Sequence, residues 1–385
     1  MLLGTRIEIL KFMRKKILYV HHSGAMGGAP KSLAFLIKEL DKTIYEPVVW
    51  MMRDGVARDL FIEAGAEVVF NKNKWLQPFH GTTVSGMNPM LFFKNIIGYL
   101  PTYFHAKKVL NRIKPDIVHL STTCLFHFAK AASKLDKNIR VISHIREPLL
   151  PNFFGNILAN QNLKYVDFFV AISKNDAKPF LNIKNNVSVI YNFVNIDEYN
   201  FDSLTRKKIR NELKIEDKNR LLVSYFARVS AENGVSNILK LAKELPNVQF
   251  AIFGFKNQSS YEKEILNNKV SNVLLMPMVD NVNDYLCASD LLISPFIEPH
   301  FSRAVVEASA IGLPSVVSNV GSQNELVKNN NTGILYDTVI EAKEAILFFD
   351  KNREVIKDYG ANARNFAEKF FSAKLNSKKT FELYD

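Results

Sequence analysis

Residues 291–319, "LLISPFIEPHFSRAVVEASAIGLPSVVSN", decide the fold. The first six are a short apolar run of the kind a buried strand makes, and "RAVVEASAIG" reads as a helix that stops at Gly312. Pro314 then opens a second apolar run, "PSVVSN". Strand, helix and strand in that order predict a unit of parallel strands joined by a crossover helix. Two carboxylates stand inside it with eight residues between them, Glu298 on the loop after the first strand and Glu307 about one turn into the helix.

The same alternation runs through the chain on both sides. Before residue 198 the strand-like runs are 16–22, 46–52, 66–70, 116–122, 140–145, 168–173 and 187–192, with a helix from about Ala29 to Leu40. Residues 198–220 are charged and without period, and then the pattern restarts with "LLVSYFA", "VQFAIFG", "VLLMPM", "LLISPF", "PSVVSN" and "GILY". Short apolar runs between helices predict a parallel sheet covered on both faces, here twice over. At 385 residues the chain exceeds one ordinary core, which agrees with two domains. The expected division is an extension over 1–14, a first Rossmann-like domain over 15–197, a second over 198–365, and a C-terminal helix over 366–385 that packs back on the first. Doubly wound sheets bind ligands beyond the carboxyl ends of their strands, so the site is expected in the cleft between the domains.

Composition narrows the function classes. No apolar run approaches the ~18 residues that cross a bilayer. The first fourteen residues lack the apolar core and cleavage site of a secretory signal and read as a surface tail before a second methionine, Met13. Cys124 and Cys287 have no metal-ligand or redox spacing, which suits buried thiols in a reducing cytoplasm. Residues 1–197 hold 26 Lys and Arg against 14 Asp and Glu, a balance of +12, whereas residues 198–385 hold 24 of each and balance to zero. The basic half suits an anionic partner such as phospholipid head groups or nucleic acid, or is the ordinary lysine decoration of a soluble surface. A nucleic-acid role lacks any recognition motif or interleaved aromatic-basic platform. The segment 71–105 mixes aromatics, apolar residues and lysine; it reads either as a helix covering the sheet or as an amphipathic insertion meeting a membrane or lipid acceptor.

Several motifs fall at strand ends. "HHSGAMGGAPKSL" runs from the first strand into a helix, and Gly27 and Gly28 would let backbone approach an anion at the helix start. It is not a G-x-G-x-x-G fingerprint, and no acid follows at the ribose position of a dinucleotide site. "SHIREP" puts His144 at a strand end, expected to face the cleft beside Arg146 and Glu147. "SYFARVSAENG" ends a strand with Arg228, suited to bidentate contact with a diphosphate, and "AIFGFKNQ" supplies Gly254 and Lys256 at the next.

Taken together, "GGAPKSL", "KPDIVHLS", "SHIRE", "VAISKN", "YNFVNIDEY", "FARVSAENG", "SRAVVEASAIGLPSVVSNVGSQNELV" and "NNTGILY" resemble the retaining glycosyltransferases of family 4, of the GT-B fold, from about Lys15 to the end. The resemblance implies two Rossmann-like domains facing across a cleft and a nucleoside diphosphate sugar as donor substrate, with no cofactor. It implies that Arg228 and a turn lysine hold the diphosphate, that Glu307 holds the ribose, and that Glu298 lies by the donor sugar. Gly27, Gly28, Asn233, Gly254, Phe301, Ser302 and Arg303 would line the donor, and His144 would touch the sugar or the incoming hydroxyl. Two departures stand out. Asn233 replaces the turn lysine, and the loop before the helix is one residue longer, so that counting back from Glu307 puts Pro299 in the place of Glu298.

The function so implied is transfer of a hexosyl residue, with retention and without a metal, to a saccharide or lipid-linked saccharide in surface-polysaccharide or lipopolysaccharide assembly. No Asp-x-Asp motif occurs in the chain. A lipid-linked acceptor at the inner face of the cell membrane, with the protein cytoplasmic and peripheral, fits both the charge and the resemblance. The alternative, motivated by Asn233, is a catalytically impaired partner or scaffold of a glycosyltransferase complex.

Overall fold

A computed structural model describes residues 14–72, 74–83, 86–136, 138–181, 186–215, 217 and 219–385; the N-terminal tail read from the sequence lies outside them. The first half runs β1 Lys15–His21, α1 Gly28–Lys38, β2 Tyr45–Met51, α2 Ala57–Glu63, β3 Glu67–Phe70, α3 Pro89–Ile113 and β4 Ile117–Leu120, then α4 Phe126–Leu135, β5 Arg140–Ile145, α5 Phe153–Tyr165, β6 Phe168–Ala171, α6 Lys174–Leu181 and β7 Val187–Val189. The second runs α7 Ser203–Glu212, β8 Leu222–Phe226, α8 Val235–Glu244, β9 Gln249–Phe253, α9 Ser260–Asn267, β10 Val273–Met276 and α10 Val282–Ala288, then β11 Leu291–Ser294, α11 Arg303–Ile311, β12 Ser315–Ser318 and β13 Gly333–Tyr336. Three helices close the chain, α12 Val339–Lys351, α13 Val355–Phe370 and α14 Ala373–Phe381.

Seven strands pair in the order β3-β2-β1-β4-β5-β6-β7 and six in the order β10-β9-β8-β11-β12-β13. Every pairing is parallel. The thirteen apolar runs read as strands are these thirteen strands, and the 291–319 stretch is β11, α11 and β12. Alternate residues of each strand enter opposite layers, so the first sheet has one core under α3, α4 and α6 and another under α1 and α2.

Residues 198–220 are not the featureless segment their composition suggests. Asp202 accepts hydrogen bonds from the Leu204 and Thr205 amides and caps α7. That helix docks mainly by charge. Arg206 donates to one oxygen of Asp290 at 2.6 Å and Arg210 to the other at 3.3 Å, while the Leu222 amide also donates to Asp290 at 2.8 Å.

The C-terminal helix returns to the first sheet. The Tyr384 hydroxyl lies 2.6 Å from His119 Nδ1 and 3.1 Å from the Tyr19 hydroxyl, and Ala373 and Tyr384 join the core beneath α1. Two further ties join the halves. Glu325 accepts hydrogen bonds from the Lys174 and Asn175 amides and the Tyr191 hydroxyl at 2.7, 2.8 and 3.1 Å. Ile172, Val194 and Ile196 also pack in one apolar cluster with α11.

Among the described residues no helix is long and apolar enough to cross a membrane. Cys124 and Cys287 are both free and buried.

Candidate active site

The carboxyl end of β1 leads through the glycine loop into α1, and the carboxyl end of β11 leads through residues 295–302 into α11. These two helix starts confront each other across the cleft. Gly27 precedes α1 in an extended conformation, and a Cβ there would meet nothing within 4 Å, so the space over the helix start is open. A Cβ on Gly28 would lie 3.9 Å from the Arg303 side chain. Arg303 Nε donates to Glu307 at 2.9 Å and Nη1 donates to the Ser32 hydroxyl of α1 at 3.2 Å, with the guanidinium 5.7 Å from the Phe35 ring centre. The carboxylate of Glu307 also meets the Tyr199 hydroxyl, and burial, followed by that carboxylate, pushes the tyrosine pKa up.

Glu307 is therefore not a helix-surface acid. It is only 8 % exposed, because α1 and the 195–200 segment close over it. A groove of about 390 Å³ opens beside this pair, lined on one side by Lys31 and Phe35 and on the other by Asp280, Asn281 and Asn283.

Arg228 lies exposed at the end of β8 and makes no ion pair among the described residues. Its carbonyl accepts from the Tyr225 hydroxyl and from the Asn233 side-chain amide, each at 2.8 Å, so Asn233 braces the turn instead of presenting a charge. Gly234, at φ 68°, closes that turn, and a side chain there would overlap the Pro295 carbonyl. Gly254 is likewise structural. At φ 107° it packs against the Ala227 carbonyl, its amide donating to Met276 and Pro277.

Three expectations need correction. Phe301 is buried in the apolar cluster shared by both halves, so its side chain is core and only its backbone borders the donor loop. Ser302 is buried at the start of α11 but caps it with no side-chain hydrogen bond. His144 does not face an open cleft; it is 6 % exposed and its ring stacks on His119 at 4.7 Å. β5 turns residue 144 toward the layer covered by α14, and Arg146 takes the rim. Burial, then the charge of Arg146, holds the His144 pKa well below the ordinary value, so the ring is neutral. Neither of its nitrogens has a hydrogen-bond partner.

Glu298 is exposed, and its carboxylate makes no hydrogen bond or ion pair among the described residues. Its loop is pinned by the Ile297 amide donating to the Glu232 carbonyl at 3.0 Å, while Pro299 lies against Gly321.

Sequence reading underrated Arg146. Nε donates to the Ser121 carbonyl and Nη1 to Asn192 Oδ1, both at 2.9 Å. Burial brings its pKa down to about 10; Glu147 offsets this and Arg303 adds to it. The charge of Arg303, from the other domain, thus reaches Arg146, a signal that "SHIRE" carries only once the fold brings Arg303 near.

Residues 205–366 match the family Glycosyl transferases group 1, and residues 26–198 match Glycosyltransferase Family 4. An uncharacterized 41.2 kDa protein in the cps region of Klebsiella pneumoniae is 25% identical over 274 residues, which is 69% of this chain and 71% of that protein. An alpha-galactosylglucosyldiacylglycerol synthase of Streptococcus pneumoniae is 23% identical over 196 residues, 49% of this chain and 52% of that protein. Anabaena Alr3699/HepE, solved in complex with UDP, superposes with a TM-score of 0.79 at 21% identity, covering 95% of this chain and 98% of that one.

Proposed function

We propose that this chain, which belongs to the group 1 glycosyl transferases of family 4, moves a hexosyl residue from a nucleoside diphosphate sugar to a hydroxyl of a saccharide or lipid-linked saccharide, with retention at the anomeric carbon. What carries the reading is the confrontation of the α1 start with the Arg303–Glu307 pair of α11, whose charge also reaches Arg146. Departure of the diphosphate is the costly step. Helix N–H groups and guanidiniums fixed around it before reaction supply several kcal/mol where water is excluded. Arg228 and Arg303 meet the phosphates, Glu307 accepts from the ribose hydroxyls once released from Arg303, and Gly27 and Gly28 admit the diphosphate to the start of α1.

The acceptor side is the basic first domain, with an anionic membrane surface as its partner at the inner face of the cell membrane. The likeness to a diacylglycerol-glycan synthase and to a protein of a cps region supports a glycolipid or surface-polysaccharide product. HepE is also solved in complex with UDP-glucose, which makes uridine nucleotides the first donors to try.

Thermal-shift and turnover assays against UDP-, GDP- and ADP-sugars test the reading. One of them should raise the melting temperature and release nucleoside diphosphate, because a ligand of the native state stabilises it. The competing scaffold reading, favoured by an Asn233 that presents no cation, expects neither.

A further inference from the structure

The outward face of α3 carries the wrong residues for a helix in water. Its buried stripe is Asn95, Gly98, Thr102, Ala106, Val109 and Leu110, small or polar until its last turns. The segment before it is bound there by polar contacts, with Asn95 bridging the His80 amide and carbonyl at 2.7 and 2.8 Å and the Thr102 hydroxyl meeting the Gln77 amide at 3.1 Å. The large apolar residues point away. Met90, Phe93, Ile97, Leu100 and Phe104, spaced three or four apart, form one stripe with Ile96 beside it, each between 41 and 68 % exposed. An ordinary surface helix has the reverse arrangement.

The stripe continues sideways. Phe92 stacks on Phe154 at 4.5 Å, which places exposed Phe153 at the first turns of α3, and Asn152 meets exposed Met87. Because α3 returns the chain from the carboxyl end of β3 to the amino end of β4, those first turns stand at the rim that holds the cleft. The helix is about 37 Å long.

Charge says what covers this face. Between Glu67 and Asp116 the sequence holds seven Lys and Arg and no Asp or Glu. A second copy of the chain would bring the same cations together across a twofold axis, and a soluble helix would need no such apolar stripe. We propose that the outward face of α3, with Trp75, Met87 and Phe153, seats on an anionic lipid bilayer, its apolar stripe entering the head-group region and its flanking cations meeting lipid phosphates. This deepens the membrane partner proposed above and needs that reading only for its purpose, which is to hold the cleft rim at the surface where a lipid-linked acceptor lies.

Sedimentation with vesicles tests it on the full chain. Vesicles containing phosphatidylglycerol should bind the protein far more tightly than vesicles of phosphatidylcholine alone. The triple variant Phe93→Glu/Ile97→Glu/Phe104→Glu should weaken that binding on the order of 100-fold, and Lys107→Gln/Lys108→Gln/Arg112→Gln by about 10-fold or more. All six side chains lie outside the core and away from the donor site, so both variants should keep the parental melting temperature and donor turnover in solution. The parental protein also carries its own reporter. Of its two tryptophans Trp50 is buried and Trp75 exposed, so a blue shift on adding anionic vesicles reports Trp75 entering the bilayer. Absence of sedimentation, equal binding to both vesicle types, or full binding by the apolar triple variant would overturn the proposal. So would a concentration-dependent dimer that this variant abolishes. Donor turnover is read without vesicles, so its failure separately counts against the glycosyltransfer reading.

Discussion

Replacing Arg303 by alanine tests the assignment of the diphosphate site most directly. Its guanidinium donates to Glu307 at 2.9 Å and to Ser32 at 3.2 Å, with side chains only 17% and 10% exposed in the Arg303–Glu307 pair. Under the proposed reaction it turns to the donor phosphates and stands in for the lysine that Asn233 replaces. A charge-assisted hydrogen bond of this kind contributes about 1.5–3 kcal/mol, so Arg303→Ala should lower kcat/KM for the sugar nucleotide by about 10- to 150-fold. Stability should fall less, by about 1–3 kcal/mol, because Glu307 loses its ion pair but keeps the Tyr199 hydroxyl. The second arm is Asn233→Lys in that background. Residue 233 is partly exposed and its amide only braces the Arg228 carbonyl at 2.8 Å, so a lysine there is free to turn its ammonium into the cleft. The double variant should regain about tenfold or more in kcat. Steady-state kinetics with the donor, beside a melting curve for each variant, reads both effects. Turnover of Arg303→Ala at the parental rate would refute the reasoning, leaving Arg228 and the helix starts to meet the leaving group alone.

Three further outcomes follow from contacts elsewhere. Asp290→Ala should destabilise the second half by about 3–5 kcal/mol, since Arg206 and the buried Arg210 both converge on that carboxylate; an unchanged urea midpoint would contradict it. Glu325→Ala removes three hydrogen bonds that tie the second half to the first, two at the start of α6 and one at Tyr191, and should enlarge the radius of gyration in solution scattering and raise the donor KM without lowering kcat. Acid should unfold the protein early. Burial holds His22 at about 4 and His119 and His127 at about 3, whereas unfolded histidines titrate near 6.5. The unfolded chain therefore binds more protons below about pH 6.5, so stability is full above that value and falls by about 1 kcal/mol per histidine per pH unit below it. Urea midpoints that match at pH 7.5 and pH 5 would count against this.

The strands were legible because buried parallel strands are continuous apolar runs, and the glycine and proline that bound them are local signals. Helix α7 was not. Apart from Ile209 its anchors are Arg206 and Arg210, and charged anchors leave no apolar period to read. The site divides in the same way. Arg228, Arg303 and Glu307 stand out at strand and helix ends, and the four-residue spacing of the last two already allowed their ion pair. The burial of that pair was invisible, because α1 and Tyr199 supply it from sequence positions far away. Glu298 was legible from its residue type and loop alone, and it stands exposed with no side-chain partner among the described residues.

Arg146 and Arg303 each stand with an acid beside them. Burial is the main cause of the lowered Arg146 pKa, and the charge of Arg303 adds to it. Glu307 answers Arg303 and Glu147 answers Arg146, so each cation arrives with its own acid. Burial acts on those acids as well: it pushes the Glu147 carboxyl upward, against the pull of Arg146. Under the proposed reaction a donor diphosphate would bring its charge to Arg303, exchanging an internal ion pair for one with the ligand and freeing Glu307 for the ribose. Such an exchange gains little while the phosphate charge is spread over the intact donor. It gains most when the bond to the sugar breaks and charge accumulates on the leaving phosphate, so the cations favour the transition state over the bound donor.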